Sequence, residues 1–179
     1  MNAFWFALSF LTRLPTPRLD FDDARAQSRA LAWYPLVGLL LGGVLAISQL
    51  ALLRLEVSAL LAAGLLLALW VWITGGLHLD GLADCADAWA GGHGDRERTL
   101  RILKDPAAGP MGVVALVLVL LLKLVALHAL VSAEATMLLL LPPVLGRAAC
   151  ISLFLSLPYV RAGGLGERLA QAPRTACLA

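Results

Sequence analysis

The sequence predicts an all-α, polytopic membrane bundle, and three observations predict it. Mean hydropathy is +0.85, with 60% of the 179 residues apolar and only 15% charged, outside the range of soluble globular domains. Four apolar segments, at residues 31–53, 57–75, 112–131 and 135–157, are each long enough to cross a bilayer. Most basic residues lie between or outside these segments. The expected architecture is a single integral membrane domain over 1–179. It comprises about four transmembrane helices, an N-terminal interfacial helix and a cytoplasmic acidic segment.

The first fifteen residues are apolar but lack a basic leader and a small-residue cleavage site, and Arg13 interrupts them. They predict an interfacial or re-entrant helix over 2–14. The four spans are rich in Leu and Ala with little alternation, so they are helices and not barrel strands. In the first span Gly38, Gly42 and Gly43 permit close helix approach. Short turns at 54–56 and 132–134 pair the spans into two helical hairpins, joined by the polar stretch 76–111. Pro142-Pro143, inside the fourth span, predicts a kink. Arg13, Arg18, Arg25, Arg29, Arg96, Arg98, Arg101, Lys104, Arg161, Arg168 and Arg174 are eleven of the 14 basic residues, and all fall on one side of this topology. That side is expected to be cytoplasmic, with both termini and the acidic segment.

The acidic segment follows the second span directly. In a continuous helix Asp80, Asp84 and Asp87 stand at i, i+4 and i+7 and share one face. Two carboxylates about 6 Å apart repel by on the order of 3 kcal/mol at an effective dielectric near 20. A divalent cation offsets that repulsion, and hard oxygen ligands suit Mg²⁺, which usually binds through a few carboxylates plus substrate phosphates. His78 falls on the opposite side of such a helix and reads as an interfacial or supporting residue. Gly91-Gly92-His93-Gly94 breaks the helix, and Asp95 is placed to cap a short helix ending near Lys104. Asp105-Pro106 ends that helix and Gly109-Pro110-Met111-Gly112 turns the chain into the third span. Asp105 is then a fourth carboxylate able to fold back toward the first three.

Two cations lie within spans. Lys123 sits near the middle of the third, among fourteen Leu and Val residues, and Arg147 is in the fourth. The apolar residues contribute roughly −4 to −8 kcal/mol to insertion against about +3 for the lysine, so the span still inserts. Two readings of this pair stand open. Either they line a polar cavity and meet phosphate oxygens, or they pair with carbonyls or snorkel. Cys85, Cys150 and Cys177 form no metal-ligand spacing and read as small packing residues. A net charge of +2 gives no electrostatic footprint for nucleic acid. There is no Walker A loop, GxGxxG fingerprint or GxSxG elbow, so chemistry rests on carboxylates and a metal.

At these residues the sequence resembles a known family. Residues 75–89, Gly-Gly-Leu-His-Leu-Asp-Gly-Leu-Ala-Asp-Cys-Ala-Asp-Ala-Trp, strongly resemble the signature of cobalamin synthase, the adenosylcobinamide-GDP ribazoletransferase family. Residues 94–106 and 109–112 continue the likeness, as do 7–15, 33–38 and 157–161. The resemblance covers nearly the whole chain. It implies the last step of adenosylcobalamin assembly: α-ribazole, or its 5′-phosphate, attacks the β-phosphorus of adenosylcobinamide-GDP and GMP leaves. It further implies Mg²⁺, the bacterial inner membrane, and membrane lipid as surroundings, while the spans are compatible with a homo-oligomer.

On that basis Asp80, Asp84 and Asp87 are the expected metal ligands and catalytic residues. Asp105 is expected to join them or to act as general base. Arg101, Lys104, Lys123 and Arg147 are expected to hold phosphate oxygens. Family chains are usually longer, with a C-terminal Gly-Gly-x-Thr-Gly-Asp type motif and a further apolar stretch, and they commonly carry an Arg where this sequence has Ala107. The competing expectations are a truncated inactive membrane scaffold and a CDP-alcohol-type phosphotransferase. The second requires an Ala-Arg pair where Asp84 stands.

Overall fold

The computed structural model describes residues 2–20 and 23–159, and every described element is helical. Arg161, Arg168, Arg174 and Cys177 lie outside the described residues. Helix α1, Asn2–Leu11, buries Phe6, Ala7 and Leu8. Its end is shaped by the Thr12 hydroxyl, which donates to the Leu8 carbonyl at 2.7 Å. The next amide, Arg13 N, donates to the Ile73 carbonyl at 2.7 Å and ties the α1 exit to the end of α4.

Helix α2, Ala24–Arg29, is capped by Asp23, whose carboxylate accepts from Ala26 N at 2.9 Å. A 3-10 turn over Ala30–Trp33 leads into α3, Tyr34–Arg54. Together they form one helical run, Ala26–Arg54, long and apolar enough to cross a membrane. Helix α4, Ala59–Thr74, returns antiparallel to it. Helices α5, Leu77–Gly92, and α6, Arg96–Ile102, carry the polar stretch. Helix α7, Pro110–Ser132, is the next span, and the last is Thr136–Ser156, a 3-10 turn followed by α8, Leu141–Ser156. The two tight turns expected between paired spans are present, and Glu56 and Glu134 take φ of 53° and 51° in them.

In lipid there is little hydrophobic drive between helices, so close packing must hold them. The tightest seam is α3 against α8 and the turn before it. A Cβ added at Gly38 would stand 2.7 Å from the Pro143 carbonyl oxygen, and one at Gly42 would stand 2.7 Å from Leu140 Cα. Gly43 faces open space, so only two of the three glycines serve the packing expected of them. Gly42→Ala should therefore force α3 and the 140s apart, costing about 1–3 kcal/mol. Gly43→Ala should leave thermal unfolding in detergent unchanged.

Two apolar clusters fill the bundle. One joins α1 to α3 and α4 through Phe6, Leu8, Leu31, Tyr34, Leu41 and Ile73. The other joins α3, α4 and α7 through Leu45, Leu66, Trp70, Leu127, Val131 and Leu139. The outer face of α7 exposes Val113, Val117, Leu118, Leu121, Leu122 and Val125, the surface a bilayer would cover.

Two sequence expectations are corrected. The second span does not run on as one straight helix through the acids. Gly75 and Gly76 both adopt the left-handed conformation, φ 66° and 73°, and α5 leaves α4 at 88°. Two consecutive glycines make this affordable, because residues with a Cβ resist that region. The Pro142-Pro143 pair does not kink the interior of a helix either. It occupies the first turn of α8, where a missing amide hydrogen costs nothing, and the preceding turn is 3-10.

Candidate active site

Helix α5 is regular from Leu77 to Gly92, so Asp80, Asp84 and Asp87 do lie along one stripe. That stripe meets α7. The Asp87 carboxylate spans the α7 N-terminus: Gly109 N donates to Oδ2 at 2.7 Å and Gly112 N donates to Oδ1 at 2.8 Å. Gly109 is the N-cap of α7 and has no side chain with which to cap it, so Asp87 supplies the cap from a neighbouring helix. The N-terminal end of the helix dipole adds to this attraction. A Cβ at Gly109 would reach 2.5 Å from Asp87 Oδ1, and one at Gly112 would collide with Asp87 Oδ2 and approach the Ala83 carbonyl. The Gly-Pro-Met-Gly turn is thus the seat of a carboxylate, a role its sequence alone did not disclose.

Asp84 is half-buried and Asp80 exposed farther along the same stripe. Among the described residues no group of three His, Cys, Asp or Glu is gathered in a geometry that could hold a metal. Of these three acids, Asp87 is the one whose oxygens both accept from α7 amides.

Helix α6 folds back on the end of α5. Asp95 caps it as expected, accepting from Glu97 N at 2.8 Å and Arg98 N at 3.2 Å. His93, at φ 49°, and Gly94 make the turn, while Gly91 and Gly92 leave room for Ile102 and Thr99. Arg101, Lys104 and Asp105 are all exposed. Asp105 accepts from Ala107 N at 3.0 Å and so shapes its own turn.

The two intramembrane cations differ in their surroundings. Lys123 lies over the Trp70 ring, 4.7 Å from its centroid. Arg147 is half-buried, and its Nε is buried with no hydrogen-bond partner. Both charges reach His78, just beyond the bend. Although His78 is exposed, crowding by neighbouring atoms, then the Lys123 and Arg147 charges, push its imidazole down to about 4. It is neutral at pH 7. The sequence placed His78 away from the acids but held no sign that two cations act on its imidazole. Of the cysteines, Cys85 is exposed and so is not a packing residue, while Cys150 is partly buried beside Arg147.

Comparison with known proteins bears on what this arrangement serves. A family model described as cobalamin-5-phosphate synthase matches residues 3–179. An adenosylcobinamide-GDP ribazoletransferase of Acinetobacter baumannii is 49% identical over 177 residues, covering 98% of this chain and 71% of that protein. One of Pseudomonas putida is 57% identical over 171 residues, covering 96% and 69%. One of Pseudomonas fluorescens is 55% identical over 177 residues, covering 98% and 72%. No solved structure matches. With a match across all but its first two residues, and relatives near half identity or above, the chain belongs to the cobalamin-5-phosphate synthase family.

Proposed function

We propose that this chain is a membrane-embedded transferase that joins adenosylcobinamide-GDP to α-ribazole or its 5′-phosphate, releasing GMP. The observation that carries the reading is the match over residues 3–179 to a family whose similar members bear that activity in their names. The α5 stripe, held at the mouth of α7 by Asp87, supports it chemically.

The donor set fits Mg²⁺ in a particular form. Asp80 and Asp84 are carboxylates one turn apart on α5, and Mg²⁺ is commonly held by one or two carboxylates plus substrate phosphates. These two residues would hold the ion, with Asp87 fixing the helix that presents them. Mg²⁺ bound there would neutralise charge on the diphosphate and on the departing GMP.

The ribazole hydroxyl oxygen forms the new bond to the β-phosphorus. The bond from that phosphorus to the bridging oxygen breaks, and GMP carries the bridging oxygen away. The hydroxyl proton goes to a carboxylate, and Asp105 is the acid on the adjoining turn. Arg101 and Lys104, exposed on and after α6, are placed to meet phosphate oxygens arriving from solvent. The basic residues around α1, α2 and α6 support an inner-membrane protein with this end facing the cytoplasm, where nucleotides and Mg²⁺ are available.

The test is GMP release from adenosylcobinamide-GDP plus α-ribazole by this chain in membranes, with and without Mg²⁺. Release that requires Mg²⁺ is expected. Equal release in a chelator would overturn the carboxylate–metal site, and no release under either condition would overturn the activity.

A further inference from the structure

Residues 7–15 carry part of the family likeness, and the transferase reading uses none of them. The fold brings one of them, Arg13, to the corner between α4 and α5. Its amide donates to the Ile73 carbonyl at 2.7 Å, one residue before the end of α4. Its side chain lies across the corner itself. A Cβ added at Gly75 would stand 2.6 Å from Arg13 Nε, 3.0 Å from Cγ and 3.2 Å from Cδ. Arg13 is exposed overall, so its stem packs over the glycine while the rest of the residue stays at the surface.

Glycine visits many backbone conformations, so two in succession do not by themselves hold an 88° angle. At Gly76 a Cβ would meet nothing within 4 Å, so Arg13 acts on Gly75. Beyond the corner, α5 is a regular helix of 16 residues and moves as a rod. Asp87 fixes its far half on the Gly109 and Gly112 amides. A rod held at one point can pivot, and a second point sets its direction. The corner is that second point, and Asp80 and Asp84 lie between the two. Asp80 N donates to the Gly76 carbonyl at 3.0 Å, which places Asp80 one turn beyond the corner. Its Cα is then roughly 10 Å or less from that of Gly75.

We propose that Arg13 is a positioning residue of the transferase: its side chain fills the space beside Gly75, fixes the α4–α5 corner and so holds Asp80 and Asp84 where the substrate meets them. This rests on the transferase reading and deepens it. The role is steric, since Cγ, Cδ and Nε make the contact. An uncharged side chain of similar length should therefore serve. The effect on turnover can be large, because a displacement of about 1 Å caused far from the chemistry can cost about a hundredfold.

The first experiment measures GMP release from adenosylcobinamide-GDP and α-ribazole across a Mg²⁺ titration in membranes, for the wild type, Arg13→Ala, Arg13→Met and Arg13→Lys. Arg13→Ala should lower kcat about tenfold or more and raise the Mg²⁺ concentration at half-maximal rate, with KM for α-ribazole little changed. Arg13→Met, which keeps an unbranched stem without the charge, should restore most of kcat. Unchanged kinetics in Arg13→Ala would overturn the brace, and so would a loss in Arg13→Met equal to that in Arg13→Ala. In the second case, rescue by Arg13→Lys alone would assign the charge to a phosphate oxygen instead.

The second measurement needs no turnover. In a chain carrying Cys150→Ser and Cys177→Ser, one spin label on the exposed Cys85 of α5 and one at Leu61→Cys, on the exposed face of α4, report the corner as a distance distribution. The wild type and Arg13→Met should give one narrow distribution, and Arg13→Ala a broadened or shifted one. A broad distribution in the wild type, or an unchanged one in Arg13→Ala, would overturn the brace. The amide of residue 13 reaches Ile73 whatever its side chain, so each variant keeps that tie. Arg13→Gln, with a shorter stem, should fall between the wild type and Arg13→Ala, and it replaces Arg13→Ala if that variant does not accumulate. Absence of GMP release from the wild type would overturn the transferase reading, and the distance measurement would still decide the brace.

Discussion

Asp84→Asn should lower GMP release by more than about a hundredfold while leaving the thermal unfolding midpoint within a degree or two of the wild type. Outer-shell partners of a metal typically cost about 10–100-fold when lost, and a direct ligand should exceed that. Asn keeps the size and one acceptor oxygen of Asp, so the half-buried position on α5 remains filled. What disappears is the negative charge that a hard divalent cation requires. The variant should need a higher Mg²⁺ concentration for any residual turnover. Full activity at the usual Mg²⁺ level would remove the stripe from the mechanism.

Asp87→Ala should behave differently, failing in stability before chemistry. The substitution leaves Gly109 N and Gly112 N at the start of α7 without their acceptors. Loss of a cap costs about 0.5–2 kcal/mol, and a charge-assisted hydrogen bond contributes about 1.5–3 kcal/mol. A loss of roughly 2–4 kcal/mol is expected, lowering the unfolding midpoint by on the order of 10 °C. Activity should fall with it, because the α5 stripe loses its anchor on α7. Asp87→Asn, with one acceptor oxygen retained, should lie between the wild type and Asp87→Ala. An Asp87→Ala protein as stable as the wild type but inactive would show that Asp87 serves the metal and not the helix terminus.

These two carboxylates look alike in the sequence. Both belong to the same spacing, and periodicity alone assigns both to one face. They are separated by what stands opposite each, and for Asp87 that is a pair of backbone amides more than twenty residues later. The same limit applied to Gly109 and Gly112, legible as a turn but not as the space a carboxylate occupies. It applied to the second span, where Gly75-Gly76 was read as the end of an apolar run and proved to be an 88° corner.

The sequence by itself determined the class of molecule, the approximate bounds of its apolar helices, the capped helix after Asp95, the acidic stripe and the family. All but the family follow from local composition or from spacing within one helix, where period and hydropathy are sufficient, and the family follows from the resemblance of the motifs at 75–89, 94–106 and 109–112. Only the tertiary structure decided that Asp87 caps α7, that Gly38 and Gly42 seat α8 while Gly43 does not, and that Lys123 lies over the Trp70 ring. Those facts depend on which helix packs against which, and at what rotation. Long-range packing has no periodic trace along a single chain of leucines and alanines, because in lipid nearly every face of such a helix is apolar.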